Sequence, residues 1–143
     1  MTTEAIELWH KRARPTPTDD DFNVQLGCHF EEIEEMMRSI DTSDDELWHD
    51  VRLQVLMLAK LLKINELNAT INDRNEFLDS IADQVVTGIG AAHCAGMKGA
   101  VACDRVNASN WSKFDHNGQP FRDTNGKITK GPNYQPPLLD GLY

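Results

Sequence analysis

Through Asn110, apolar residues recur at spacings of three and four, the period of helices rather than strands. "TTEAIELWHKRA", from Thr2 to Ala13, reads as a short amphipathic helix that stops before Pro15. "RPTPTDDD" follows as a rigid linker, with Thr18 or Asp19 as the N-cap of a helix expected from about Asp21 to Ile40. In that helix Leu26, Phe30, Ile33, Met37 and Ile40 form one apolar stripe. "SDDE", Ser43–Glu46, has the capping-box spacing and opens a third helix. This helix carries Leu47, Val51, Val55, Leu58 and Leu62 and is expected to end near Asn68. Asp73 and Glu76 repeat the capping spacing before a fourth helix reaching about Gly96, and a fifth covers roughly Lys98 to Asn110. Nothing in this part alternates with period two, so the predicted class is all-α, a bundle of four to five helices.

From Trp111 the pattern changes. "HNGQ" and "TNGK" are Asn-Gly turns flanked by Phe114, Phe121 and Ile128, and "KGPNYQPPLL" is Pro-rich and extended. A stretch this polar has little core of its own, so its order is expected to depend on the helices, a neighbouring subunit or a ligand. The chain therefore reads as a single domain over 1–143: an N-terminal helix (1–14), a helical core (15–110) and an extended tail (111–143), with no internal repeat.

Composition narrows the partners. Hydrophobic content of 40% and charged content of 26% are those of an ordinary folded protein. A net charge of −9 argues against a nucleic-acid polymer or an anionic membrane as partner, since either requires a basic surface. It leaves room for a small phosphorylated ligand whose charge a divalent cation neutralises. No apolar run approaches the ~20 residues of a membrane span. The three cysteines, Cys28, Cys94 and Cys103, are widely spaced and form no Cys-x-x-Cys pair, which points to a reduced, cytoplasmic setting.

The candidate chemistry lies in two helices. "HFEEIEEMM", His29 to Met37, places Glu31, Glu32 and Glu35 opposite the apolar stripe, with Glu34 elsewhere on the wheel. Alone this is equally a solvated face. In "FLDSIADQVVTGIGAAHCAGM", Phe77 to Met97, the formal charges are Asp79 and Asp83, one turn apart among Ile, Val, Ala and Gly. That composition predicts a helix packed on most sides, where ionised carboxylates are costly unless paired or metal-bound. Arg52 or Lys60 would be the structural partners. If the two helices face each other, carboxylate and water ligation suits Mg²⁺, with Mn²⁺ as a substitute, and such an ion acts naturally on phosphoanhydrides.

With these residues in view, the chain resembles the MazG-like all-α nucleoside triphosphate pyrophosphohydrolases, which carry Glu-Glu-x-x-Glu on one helix and Glu-x-x-Asp on a later one. Glu31, Glu32 and Glu35 match the first motif and Asp83 the Asp of the second. Ser80 stands where the second motif has Glu; Asp79 is the substitute on the same face, although Glu76 with Asp79 also satisfies the spacing. Phage-type members are similar through most of the chain, including "VNASNWSKF" and "NGKITKGPNYQPPLL". The resemblance implies hydrolysis of a (deoxy)nucleoside triphosphate between the α and β phosphates, giving the monophosphate and pyrophosphate. It also implies a homodimer or homotetramer, in the host cytoplasm if phage-encoded.

On this reading Glu31, Glu32, Glu35, Asp79 and Asp83 are the metal ligands, and Glu31 or Glu35 takes the proton from the attacking water. Asn107, Asn110, Lys113, Lys127 and Lys130 are the substrate-binding candidates, and Trp9 would stack on a base, a purine such as guanine. Tyr134 reads as an anchor for the tail. Truncation after Phe114 is then expected to raise KM before it harms the helical core. Helix capping, solvated lysines and packing of the first helix account for the same residues without a nucleotide. The alternatives are an all-α dUTPase, a phosphoribosyl-ATP pyrophosphohydrolase, or an acidic helical interaction protein that is not an enzyme.

Overall fold

Five helices form among the described residues: α1 (Thr3–Ala13), α2 (Asp19–Arg38), α3 (Asp45–Lys63), α4 (Arg74–Cys94) and α5 (Gly99–Trp111). Among them no strand forms: isolated bridge residues occur in the tail, at Phe114 paired with Pro120 and at Arg122 and Ile128, so the fold is all-α. The structure, a computed structural model, describes residues 3–143; Thr2, where the first helix is expected to begin, lies outside the described residues.

Side-chain caps set the helix starts. The Thr18 hydroxyl accepts from the Asp21 amide at 3.2 Å and the Asp21 carboxylate accepts from the Thr18 amide at 3.0 Å, a complete capping box. Asp73 caps α4 by accepting from the Asn75 and Glu76 amides, both at 3.0 Å. For α3 the cap is Asp44 rather than Ser43: its carboxylate accepts from the Leu47 amide at 3.0 Å.

Helix α3 ends at Lys63, short of Asn68. Asn65 turns left-handed with φ 57°, and the Glu66 amide reaches back to the Leu61 carbonyl at 3.0 Å while the Asn65 amide reaches Leu62 at 3.1 Å. This is a Schellman turn with Asn at the left-handed position. Gly96, at φ 77°, closes α4 with the same pair of bonds.

The tail contains a repeat that the sequence reading missed. Asp115-His116-Asn117-Gly118-Gln119 and Asp123-Thr124-Asn125-Gly126-Lys127 fold alike. In the first, the Asp115 carboxylate accepts from the amides of Asn117 and Gln119, both at 2.8 Å; in the second, Asp123 accepts from Asn125 and Lys127, both at 2.9 Å. The left-handed residue of each turn is the glycine, Gly118 or Gly126.

The chain forms two compact units. One contains α2, α3 and Arg122–Lys127; the other contains α1, α4, α5 and the rest of the tail. In the first, α2 and α3 pair as an antiparallel hairpin. Asn23 meets Asn65 and Asn68, Gly27 lies against Ala59 and Lys63, Glu34 bonds Arg52, and the Trp48 indole donates to the Met37 carbonyl at 2.9 Å. These tie-points place the face of α2 that meets α3 roughly a quarter-turn from the expected apolar stripe, at 100° per residue. Asn23, Gly27 and Glu34 are buried there; of the expected stripe Met37 is buried, Leu26, Phe30 and Ile33 are only half-buried, and Ile40 is exposed.

In the second unit α5 packs on α1 and on α4. Trp9, Ala13 and Ile128 form its small core, with Phe114 against them. Helix α4 departs from expectation: none of its residues is buried, and Leu78, Val85 and Val86 are 70%, 49% and 68% exposed. Its small, nearly uncharged side chains suit close packing, yet among the described helices its partner is α5, with Ile89 and Ala92 beside Gly99. No described helix is long and apolar enough to cross a membrane.

Candidate functional site

Helix α2 presents the acidic motif. Glu32 and Glu35 are exposed, and Glu31 is half-buried at the edge of the α3 interface. Glu35 lies 3.9 Å from Arg38, a weak ion pair. Glu31 is held far more firmly. The Lys63 ammonium donates to its Oε1, and the Lys127 ammonium donates to its Oε2 at 2.7 Å.

The local sequence explains how these groups meet. Lys63 occupies the last turn of α3, with its stem against Gly27, where there is no side chain to block it. Lys127 ends the second Asp-x-Asn-Gly turn, whose Asp123 carboxylate fixes the Lys127 amide. Burial pushes the Glu31 carboxyl up, but the hydrogen bonds and charges of Lys127 and Lys63 outweigh it and hold its pKa below the ordinary value. Burial likewise pushes Lys127 down, and Glu31, Cys28 and Asp123 together raise it above its ordinary value.

Glu34, which the wheel placed apart from the motif, is the most buried carboxylate of α2, at 2% exposure. It accepts from Arg52 at 2.5 Å and from Arg38 at 3.0 Å. Burial alone would raise its pKa, and the two guanidiniums reverse that and hold it low. Glu34 therefore has a structural role, as a charged tie between α2 and α3. Arg52, weighed in the sequence as a partner for the α4 aspartates, serves Glu34 instead.

Asp79 and Asp83 belong to the other unit and are exposed, so burial within the chain does not make them costly. Among the described residues no three His, Cys, Asp or Glu side chains converge as a ready ligand set. Carboxylates are the donors a hard divalent cation takes, and Glu32 and Glu35 are exposed on α2 in one unit, Asp79 and Asp83 on α4 in the other.

The substrate-binding candidates are dispersed. Lys127 lies at Glu31, in the unit that carries the acidic motif. Asn107 is buried on α5, Asn110 is half-buried at its end, and the Lys113 amide donates to the Asn110 carbonyl at 3.1 Å. Lys130 is exposed with its ammonium 4.9 Å from the centre of the Tyr134 ring. Trp9 is a core residue, 6% exposed, with Phe114 and His10 against its ring. As it stands it offers no open face for a base to stack on.

Lys63 is the residue the sequence did not single out. Its only signal was a basic residue near the C-terminal end of an amphipathic helix, which ordinarily marks favourable interaction with the helix dipole. The serines of "NASNWSK" were overlooked as well: the Ser109 hydroxyl donates to the Gln135 carbonyl at 2.6 Å and the Ser112 hydroxyl accepts from the Gln135 amide at 2.8 Å, fastening the tail to the end of α5.

No protein-family model matches the chain, and no curated protein or solved structure matches it significantly.

Proposed function

We propose that the protein is a divalent-metal-dependent pyrophosphohydrolase of the MazG-like kind, which cleaves a (deoxy)nucleoside triphosphate between the α and β phosphates. The observation that carries this reading is the meeting of Glu31 with Lys127 and Lys63 on a helix whose next acidic residues, Glu32 and Glu35, are solvent-exposed. Carboxylates suited to Mg²⁺ and ammoniums suited to phosphate thus occur together in one unit, on the α2–α3 hairpin and the tail turn that ends at Lys127.

The residues assigned to Mg²⁺ or Mn²⁺ are Glu32 and Glu35 on α2 and, as a separate carboxylate pair in the other unit, Asp79 and Asp83 on α4. When bound, the cation polarises the phosphoryl group and acidifies water. Glu35, exposed and lightly paired, is suited to accept a proton from water, whereas Glu31 first has to leave its lysines. Lys127 neutralises phosphate charge, and Asn110 and Lys113 orient the nucleotide. A second copy of the chain is assigned to the uncovered apolar side of α4 at Leu78, Val85 and Val86, which favours a homo-oligomer.

The test is a panel of NTPs and dNTPs with Mg²⁺, scored for pyrophosphate release. At least one substrate should turn over, and Glu35→Gln should remove most of that turnover while leaving the melting temperature in place. A panel in which no nucleotide is hydrolysed, or a Glu35→Gln protein as active as the parent, would end this reading.

A further inference from the structure

Both oxygens of the Glu31 carboxylate are taken by ammonium groups, Oε1 by Lys63 and Oε2 by Lys127. The site is built rather than incidental. The Lys63 side chain is 18% exposed and Glu31 24%, and their partner Lys127 arrives from 96 residues along the chain. Each lysine is independently positioned. The Lys63 stem lies where a Cβ on Gly27 would come within 2.7 Å of its Cγ, and the Lys127 backbone is pinned by Asp123.

Two ammoniums that bridge two oxygens of one carboxylate are equally spaced to bridge two oxygens of a phosphate. A carboxylate engaged in this way also has few lone pairs left for a cation, although it opens the Glu-Glu-x-x-Glu motif.

We infer that Lys63 and Lys127 form a two-ammonium seat for a phosphate group, and that Glu31 fills this seat until a diphosphate or triphosphate displaces it. Lys63 is thereby a ligand-binding residue, and Glu31 acts as a built-in competitor. Identifying the anion as a nucleotide's polyphosphate chain rests on the function proposed above; the seat itself rests only on the geometry.

The competition is measured by titrating the full chain calorimetrically with inorganic pyrophosphate in EDTA, so that no metal contributes. Glu31→Gln should tighten binding about three- to tenfold over the wild type, since it frees two ammoniums from a charged rival. Glu35→Gln removes the same charge one turn away without freeing a lysine, and should tighten binding far less. Lys63→Met, which keeps the stem against Gly27, and Lys127→Met should each weaken binding. If either methionine variant fails to melt cooperatively, the comparison of Glu31→Gln with Glu35→Gln decides the matter.

Equal affinities for the two glutamine variants, or unchanged affinity in a folded Lys63→Met, overturn the seat. Hydrolysis is read separately. Nucleotide turnover without the difference between the glutamine variants refutes the seat and spares the enzyme; the difference without turnover keeps the seat and removes the enzyme.

Discussion

The Arg52 guanidinium donates to the Glu34 carboxylate at 2.5 Å, and it anchors α3 near the C-terminal end of α2 through a glutamate whose side chain is 3% exposed. Arg38 adds a second bond at 3.0 Å from the next turn of α2. Since the two guanidiniums hold the Glu34 pKa below its ordinary 4.5, the unfolded chain takes up this proton before the folded one does. The resulting stabilisation is fully present above the unfolded value and is lost as pH falls through the lower, folded value. Glu31 acts in the same direction. Melting temperature should therefore be steady near neutrality and fall below about pH 4.5, the unfolded value. A cooperative Glu34→Gln protein should melt lower at neutral pH and lose part of that acid slope; a slope identical to the wild type would contradict the assignment.

Asn23, 2% exposed, donates to the side-chain oxygens of Asn65 at 3.3 Å and Asn68 at 2.9 Å and accepts from the Ala69 amide at 2.9 Å. It organises the turn that ends α3. Asn23→Ala strands these partners and should cost about 1–3 kcal/mol in urea unfolding. Asn23→Asp should be worse, because a carboxylate would face the two amide oxygens with no N–H to offer.

Gly27 is the point of closest approach of the hairpin. An added Cβ would sit 2.8 Å from the Ala59 carbonyl oxygen, a backbone atom with little room to yield. Gly27→Ala gains up to about 1 kcal/mol of helix propensity but forces the helices apart, and overpacking costs about 1–3 kcal/mol. The net expectation is a lower denaturation midpoint. A more stable alanine variant would show the contact to be looser than described.

Ile128, 8% exposed, completes the core around Trp9 and Ala13. Ile128→Ala should cost about 2–3 kcal/mol by the usual cavity penalty. Truncation after Phe114 should accordingly lower the melting temperature sharply, because it removes Ile128, Lys127 and the buried Leu142 together. The tail thus belongs to the core around Trp9, and stability is to be read beside KM in the truncated protein. Thermal melts of both variants check it.

Millimolar Mg²⁺ or Mn²⁺ should raise the melting temperature, by mass action on the folded state. The rise should shrink in Glu35→Gln and Asp83→Asn and grow when a non-hydrolysable triphosphate is present. Fluorimetric melts that do not move with either ion, with and without the analogue, would remove the proposed ligands.

The helices and their capping residues were largely written in local sequence. Thr18, weighed beside Asp19, and Asp73 before α4 bond amides two or three residues on, so cap chemistry sufficed to name them, whereas the α3 cap fell one residue from Ser43, at Asp44. The Asn-Gly turns were equally local, though their shared Asp-x-Asn-Gly frame emerged only from the hydrogen bonds. What sequence alone left undecided was which polar residues go inside. Counting apolar side chains put the inner face of α2 along Leu26, Phe30 and Ile33, yet the helix turned to bury Asn23, Gly27 and Glu34. Burying Asn23 and Glu34 is tolerable only because a partner arrives from elsewhere: Asn68, 45 residues on, for Asn23, and Arg52, 18 residues on, for Glu34. Glu31 is the same case, since Lys127 lies 96 residues away. A polar group in isolation has no preference between water and a satisfied interior, so its pattern carries no period to read. Only the folded chain, by supplying the opposite charge at hydrogen-bonding distance, makes burial the lower free energy.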